Sequence, residues 1–205
     1  VLDRTALAQM KEAGAEAGQV RDAVANSKLV RAFAITYQSN GRRVNGFLVM
    51  PRKMSGKVPC IIWNRGGLGP NFAITIPNVF RPLARIASWG YVVIASQYSG
   101  NGGSEGIDDC GGPETIADVL NLRTVLRQVP NVDLDRIGMH GASRGGMMTY
   151  LCLARVKWIK AAVTVAGLAD VARNLRGRPD LKQYSRQFWN PTRENIAFRS
   201  AVRWP

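Results

Sequence analysis

From Val58 onward, short apolar runs alternate with stretches of helical periodicity, and this alternation restricts the fold more than any other feature of the chain. Cys60-Ile61-Ile62-Trp63, Tyr91-Val92-Val93-Ile94-Ala95, Arg136-Ile137-Gly138-Met139-His140 and Ala161-Ala162-Val163-Thr164-Val165 read as strands. Between them lie apolar stripes of helical spacing. The first is Val79, Phe80, Leu83, Ile86 and Ala87, closed by Gly90. The second is Val119, Leu122, Leu126 and Val129, in a helix from about Pro113, and the third runs from Met147 to Ala154. Strand, helix and strand in succession call for a parallel sheet covered by helices, because a crossover is needed to bring the chain back in the same direction. Pro82 predicts that regular helix in the first stripe begins only near that residue, since its ring and missing N–H disrupt a preceding turn.

Ahead of this region the pattern differs. Val30 to Gln38 and Val44 to Met50 read as two strands joined at Asn40-Gly41, a hairpin signal, so an antiparallel pair should edge the sheet. Leu7, Met10, Ala13 and Ala17 recur at helical spacing, with Gly14 and Gly18 as points of interruption. Residues 1–28 are therefore expected to form a peripheral helical segment and residues 29–205 an α/β domain. Past Asp170 the pattern loosens into short pieces rich in arginine and aromatics. With 205 residues, 46% apolar and 20% charged, the chain has the make-up of one globular domain, or most of one. No apolar run is long enough for a membrane span and no signal peptide is visible. The chain begins at Val1 rather than Met, which leaves its compartment open.

Gly141-Ala142-Ser143-Arg144-Gly145-Gly146 fits G-x-S-x-G, a pattern in which a serine is held on a sharp strand-to-helix turn. The strand candidate before it and the helical pattern after it supply the context the motif requires. Gly141 and Gly145 are small because the neighbouring strand and helix leave no room for side chains. The serine hydroxyl is thereby presented at a helix N-terminus, where developing negative charge is stabilised. A second glycine-rich loop, Asn64-Arg65-Gly66-Gly67-Leu68-Gly69, follows the strand at residues 60–63.

The net charge is +14, from 28 Lys and Arg against 14 Asp and Glu. A nucleic-acid partner is one reading. The cations are scattered, with no dense basic run and no recognisable nucleic-acid motif, which favours a solvated basic surface. Cys60, Cys110 and Cys152 show neither metal spacing nor a disulfide framework, and Cys60 and Cys152 fall where small core residues are expected. Nothing calls for a metal or an organic cofactor.

Four segments together resemble the α/β-hydrolase fold and, more narrowly, the catalytic domain of prolyl oligopeptidase-like serine hydrolases. They are Trp63 to Gly67, Gly90 to Tyr98, Gly102-Gly103-Ser104-Glu105-Gly106, and His140 to Met148. The resemblance implies a mostly parallel sheet with an N-terminal antiparallel hairpin and helices on both faces. It also implies peptidase or esterase chemistry on a small-molecule ester or peptide. Ser143 would be the nucleophile, and the backbone N–H of Arg144 one oxyanion donor. The loop containing Arg65 and Gly66 would supply the other.

A serine nucleophile needs a base. The single histidine, His140, precedes Ser143, whereas the resembled fold places acid and histidine after it. His140 is expected to be a packed strand-end residue. The acid and histidine are expected on loops after two further strands that this chain lacks, leaving weak or no turnover. Asp170 is a weak substitute for the acid. Glu105, Asp108 and Asp109 could shape a substrate pocket or bind a substrate amine, although solvated loop charges are the expectation. The alternative to an enzyme is a non-catalytic hydrolase-derived protein that binds a ligand or partner in the old cleft, or forms oligomers through an exposed sheet edge.

Overall fold

A computed structural model of the protein describes residues 16–204, together with Ala8 and Gly14. Leu7, Met10 and Ala13, the start of the expected peripheral helix, lie outside these residues.

The hairpin forms where the sequence places it. β1 (Val30–Ser39) and β2 (Arg42–Pro51) pair antiparallel in an unbroken register from Val30↔Pro51 to Ser39↔Arg42. Asn40 and Gly41, which alone separate the strands, both take positive φ (49° and 80°). That is the turn whose twist matches paired strands and which selects Asn-Gly. β3 (Val58–Asn64), β4 (Val92–Ser96), β5 (Val132–Ala142) and β6 (Ile159–Val165) complete a six-stranded sheet in the order β1-β2-β4-β3-β5-β6. β2 meets β4 antiparallel; β4, β3, β5 and β6 run parallel.

β4 shows why the central strands are apolar without alternation. Val92 and Ile94 join a core formed with α3 (Pro113–Leu126) and α4 (Arg144–Leu153), while Val93 and Ala95 join a second core on the other face. Both sides are covered, so both need apolar side chains. Fully buried Ile62, Ile94, Leu122 and Ile137 each contribute about 2 kcal/mol relative to exposure.

The second face is covered by α1 (Ala17–Leu29) and by α2, a continuous path of one α turn (Ile76–Asn78), one π turn (Val79–Leu83) and an α-helical segment (Ala84–Ser88). One expectation is corrected here. Gly18 does not interrupt α1, because it sits in the first turn, where a residue has no intrahelical N–H bond to lose. In α2 regular helix begins only at Ala84, near Pro82 as expected, after a single α turn from Ile76 and the π turn. The widened π turn accommodates the proline ring, which a regular α turn would force against the carbonyl four residues back. Past Asp170 the loosened pattern resolves into three short helices: α5 (Val171–Gly177), α6 (Pro179–Ser185) and α7 (Arg193–Arg199).

Candidate active site

β5 delivers the chain to Ser143 and α4 leaves from it. Ser143 takes φ 54° and ψ −120°, a conformation that costs an L-residue about 1–3 kcal/mol. Packing holds it there. Its N–H donates to the Val165 carbonyl at the end of β6 (2.9 Å), and its carbonyl accepts from Gly146 (2.9 Å) and Met147 (3.2 Å). A Cβ on Gly141 would run into the Gly145 carbonyl, and one on Gly145 into the Asn64 carbonyl, so three backbone segments touch at this turn. Asn64 locks the same junction, donating to Thr149 Oγ1 (3.0 Å), which donates on to the Gly145 carbonyl (2.9 Å).

The Arg65-Gly66-Gly67 loop lies directly against Ser143. A Cβ at Gly66 would stand 3.7 Å from Ser143 Cβ and 3.1 Å from the Ala142 carbonyl oxygen. Arg144, as the first residue of α4, belongs to the turn whose N–H groups have no intrahelical acceptor. The Ser143 side chain is exposed while Arg144 through Thr149 are buried.

The side chains of Arg65 and Arg144 are part of the site in a way the motif does not reveal. Arg144 is 2% exposed and paired two-to-two with Asp108. Its Nη1 reaches Asp108 Oδ2 (2.8 Å) and also donates to the Gly67 carbonyl (3.1 Å). Arg65, also buried, donates to the carbonyls of Gln97 (3.2 Å), Phe72 (3.2 Å) and Gly66 (3.3 Å), with Nη2 3.7 Å from Asp108. Both guanidinium groups lie over the buried Tyr98 ring, 4.7 and 5.0 Å from its centroid. One carboxylate thus ties together the two loops that flank Ser143. Burial alone would raise the Asp108 carboxyl pKa. The Arg144 guanidinium, the Cys110 amide and the Asn101 side chain outweigh it and hold the carboxyl below the ordinary value.

Glu105 is a solvent-exposed loop charge, as expected, but Asp108 and Asp109 are not. Asp108 is 4% exposed within the arginine cluster. Asp109 accepts from the amides of Gly112, Glu114 and Thr115 at the start of α3, and Glu105 fastens the loop to Arg43 on the hairpin. The sequence shows these acids but not the arginine partners of Asp108 and Glu105, which lie tens of residues away.

His140 and Asp170 are not brought to Ser143. His140 is half-buried and lines a separate groove beside Trp63, Ile86 and Trp89, and burial lowers its pKa. Asp170 caps α5, its Oδ1 accepting from the Arg173 amide (3.0 Å).

Ser143 opens onto a cavity of about 320 Å³ with Leu68, Phe72, Met147, Val171, Leu175 and Trp189 among its walls. Much of that wall comes from the segment after Asp170, which sequence periodicity left unassigned. Local signals were present: Asp170 and Thr192 as N-caps, and Pro179 at the first position of α6. Cys110 also lines the cavity, and burial raises its pKa, keeping the thiol protonated. Among the described residues, no three His, Cys, Asp or Glu side chains gather as a metal site, and no helix is long and apolar enough to cross a membrane.

Among solved structures, the chain is similar to an acylaminoacyl peptidase of Pyrococcus horikoshii (TM-score 0.69, 20% identity), covering 85% of this chain and 30% of that one. It is also similar to an esterase of the archaeon Pyrobaculum calidifontis (TM-score 0.68, 16% identity), covering 98% of this chain and 70% of that one. These likenesses establish the α/β-hydrolase fold. In sequence, the chain is 34% identical over 173 residues to the uncharacterized peptidase YtmA of Bacillus subtilis (strain 168), covering 83% of this chain and 64% of that relative. The chain thus spans a little under two thirds of that relative's length. The family model for X-Pro dipeptidyl-peptidase (S15 family) matches residues 19–181, from α1 through the sheet and the Ser143 turn into α6. By that match, which takes in the strained serine and both loops beside it, the chain belongs to the S15 peptidase family.

Proposed function

We propose that this chain carries the nucleophile and oxyanion half of a serine hydrolase that cleaves peptide or ester bonds through an acyl-enzyme. Ser143 Oγ attacks the acyl carbonyl, its proton passes to a water molecule, and the carbonyl oxygen takes up negative charge. The Arg144 N–H and an N–H of the Arg65-Gly66 loop receive that oxyanion. Collapse of the tetrahedral intermediate re-forms the carbonyl, expels the alcohol or amine with a proton taken from water, and leaves the acyl group on Ser143. The observation that carries this reading is the exposed serine, fixed at positive φ beside a glycine loop and opening onto a largely apolar cavity.

The chain has one histidine, His140, and it faces another groove. Neither proton removal from Ser143 nor water attack on the acyl-enzyme has an imidazole to assist it in this chain. Turnover is therefore expected to be weak, with hydrolysis of the adduct slow as well.

The test is incubation with para-nitrophenyl butyrate, followed by intact-mass measurement and peptide mapping. One slowly formed butyryl group on Ser143, absent in Ser143→Ala, is expected. Equal labelling of Ser143→Ala, or no label on Ser143, would sink the reading.

A further inference from the structure

The charge on the walls of the cavity in front of Ser143 is all positive among the described residues. The charged residues that line it are Arg144, Arg178 and Arg199, and no Asp or Glu among the described residues lines it. The nearby carboxylates are committed elsewhere. Asp108 has both oxygens engaged by Arg144, with the Cys110 amide and Asn101 as further donors. Asp109 is filled by three amides and the Thr115 hydroxyl.

Arg199 is the unusual member. It is 4% exposed and donates only to carbonyls: Cys110 (2.9 Å), Asp109 (2.8 Å) and Asn195 (3.1 Å). Among the described residues it has no carboxylate within ion-pair distance, unlike Arg144 and Arg178. Its guanidinium lies over the Trp189 ring, 4.4 Å from the centroid. Trp189 also lines the cavity, and its buried indole N–H has no acceptor among the described residues. Asn174 Oδ1 is likewise unpartnered there, but an amide serves donor and acceptor alike by turning over.

We infer that this cavity is an acyl-group site that rejects ammonium groups and takes an uncharged or carboxylate-bearing acyl chain. The inference rests on the reading of Ser143 as nucleophile and specifies which substrates that serine meets. An enzyme that removes dipeptides from a free amino terminus must house an α-ammonium ion near the bond it cuts. That ion needs acceptors, and here it would meet a guanidinium without a carboxylate partner and an indole N–H without an acceptor among the described residues. A carbonyl or carboxylate oxygen satisfies both while its apolar body fills the walls.

The test uses phenylacetate, phenylacetamide and phenethylamine, which share an aromatic body and differ in charge. Binding to the 205-residue chain is followed by tryptophan fluorescence and by the indole N–H resonances. At low salt, phenylacetate is expected to bind at least about tenfold more tightly than phenethylamine, with phenylacetamide between them. That spread should shrink as salt is raised to about 0.5 M. Arg199→Gln should bring phenylacetate and phenylacetamide level. Because Arg199 also supports the fold, Trp189→Phe provides a second arm, expected to weaken both oxygen-bearing ligands severalfold while keeping the aromatic wall. Phenethylamine binding as well as or better than phenylacetate would overturn the inference, as would the absence of binding by all three.

Ser143→Ala should leave the ranking unchanged. Acylation of Ser143 with the amine preferred defeats this inference alone; the expected ranking without acylation defeats the hydrolase reading alone.

Discussion

Asp108 joins the arginines of both loops beside Ser143, pairing with Arg144 and standing 3.7 Å from Arg65. Removing its charge leaves Arg144 buried and uncompensated, a defect that costs about 3–5 kcal/mol. Asp108→Asn is therefore expected to lower unfolding stability in urea by roughly 3 kcal/mol or more. Replacing the pair together, as Asp108→Leu with Arg144→Leu, should recover most of it. A loss below about 1 kcal/mol in Asp108→Asn would show that the pair does not hold the loops. The pH dependence has a definite sign. The folded carboxyl pKa is depressed, so the pair's stabilisation is full above the free-aspartate value of about 3.9 and is lost as pH falls through the folded value. At this scale the sequence is legible only in part. Ser143 could be found because its geometry demands small residues at fixed spacing around it. Asp108 could be singled out as a loop acid but its pairing with Arg144 could not, because an ion pair between residues 36 apart has no local signature.

At the scale of elements, α3 is anchored by a buried acid of the opposite kind. Asp118 is fully buried, accepts from the Ser99 amide (2.7 Å), and has no ion-pair partner among the described residues. Its main-chain carbonyl meets the Tyr37 hydroxyl of β1 (2.8 Å), so the helix, the hairpin and the end of β4 converge on it. Burial raises its pKa, against the opposing hydrogen bonds from Ser39 and Ser99. A raised folded pKa contributes stability that is present below the unfolded value and lost as pH rises through the folded one. Above its folded pKa the ionised side chain is thus a burden. Asp118→Asn is expected to leave neutral-pH stability unchanged or raised by about 1 kcal/mol, and to flatten the change between acid and neutral pH. Thermal unfolding across that range checks it; a large loss at neutral pH would refute it. The elements themselves were readable wherever burial is two-sided or a turn is demanding, as in β4 and Asn40-Gly41. The π turn of α2 was not, because Pro82 announces a disruption without saying which distortion absorbs it. The helices after Asp170 are only seven residues each, too short for periodicity to register.

For the whole molecule, two opposing surface properties act at once. β6 closes the described sheet on one side, and its exposure is unlike that of the other parallel strands: only Ile159 is buried, while Val163 and Val165 are 59% and 53% exposed. An open edge of this kind favours pairing with a second strand. Against it stands a net charge of +14, which makes any two copies repel. Apolar and backbone pairing is not screened by added salt, whereas the repulsion is screened with a Debye length of about 10 Å at 0.1 M. The balance should therefore tip with ionic strength. The chain is expected to sediment as a monomer at low salt and to gain mass as salt rises, and Val163→Lys should suppress that gain without altering the low-salt species. Association that is strongest at low salt would mean instead that attraction between unlike charges drives it, and the β6 edge would lose its role.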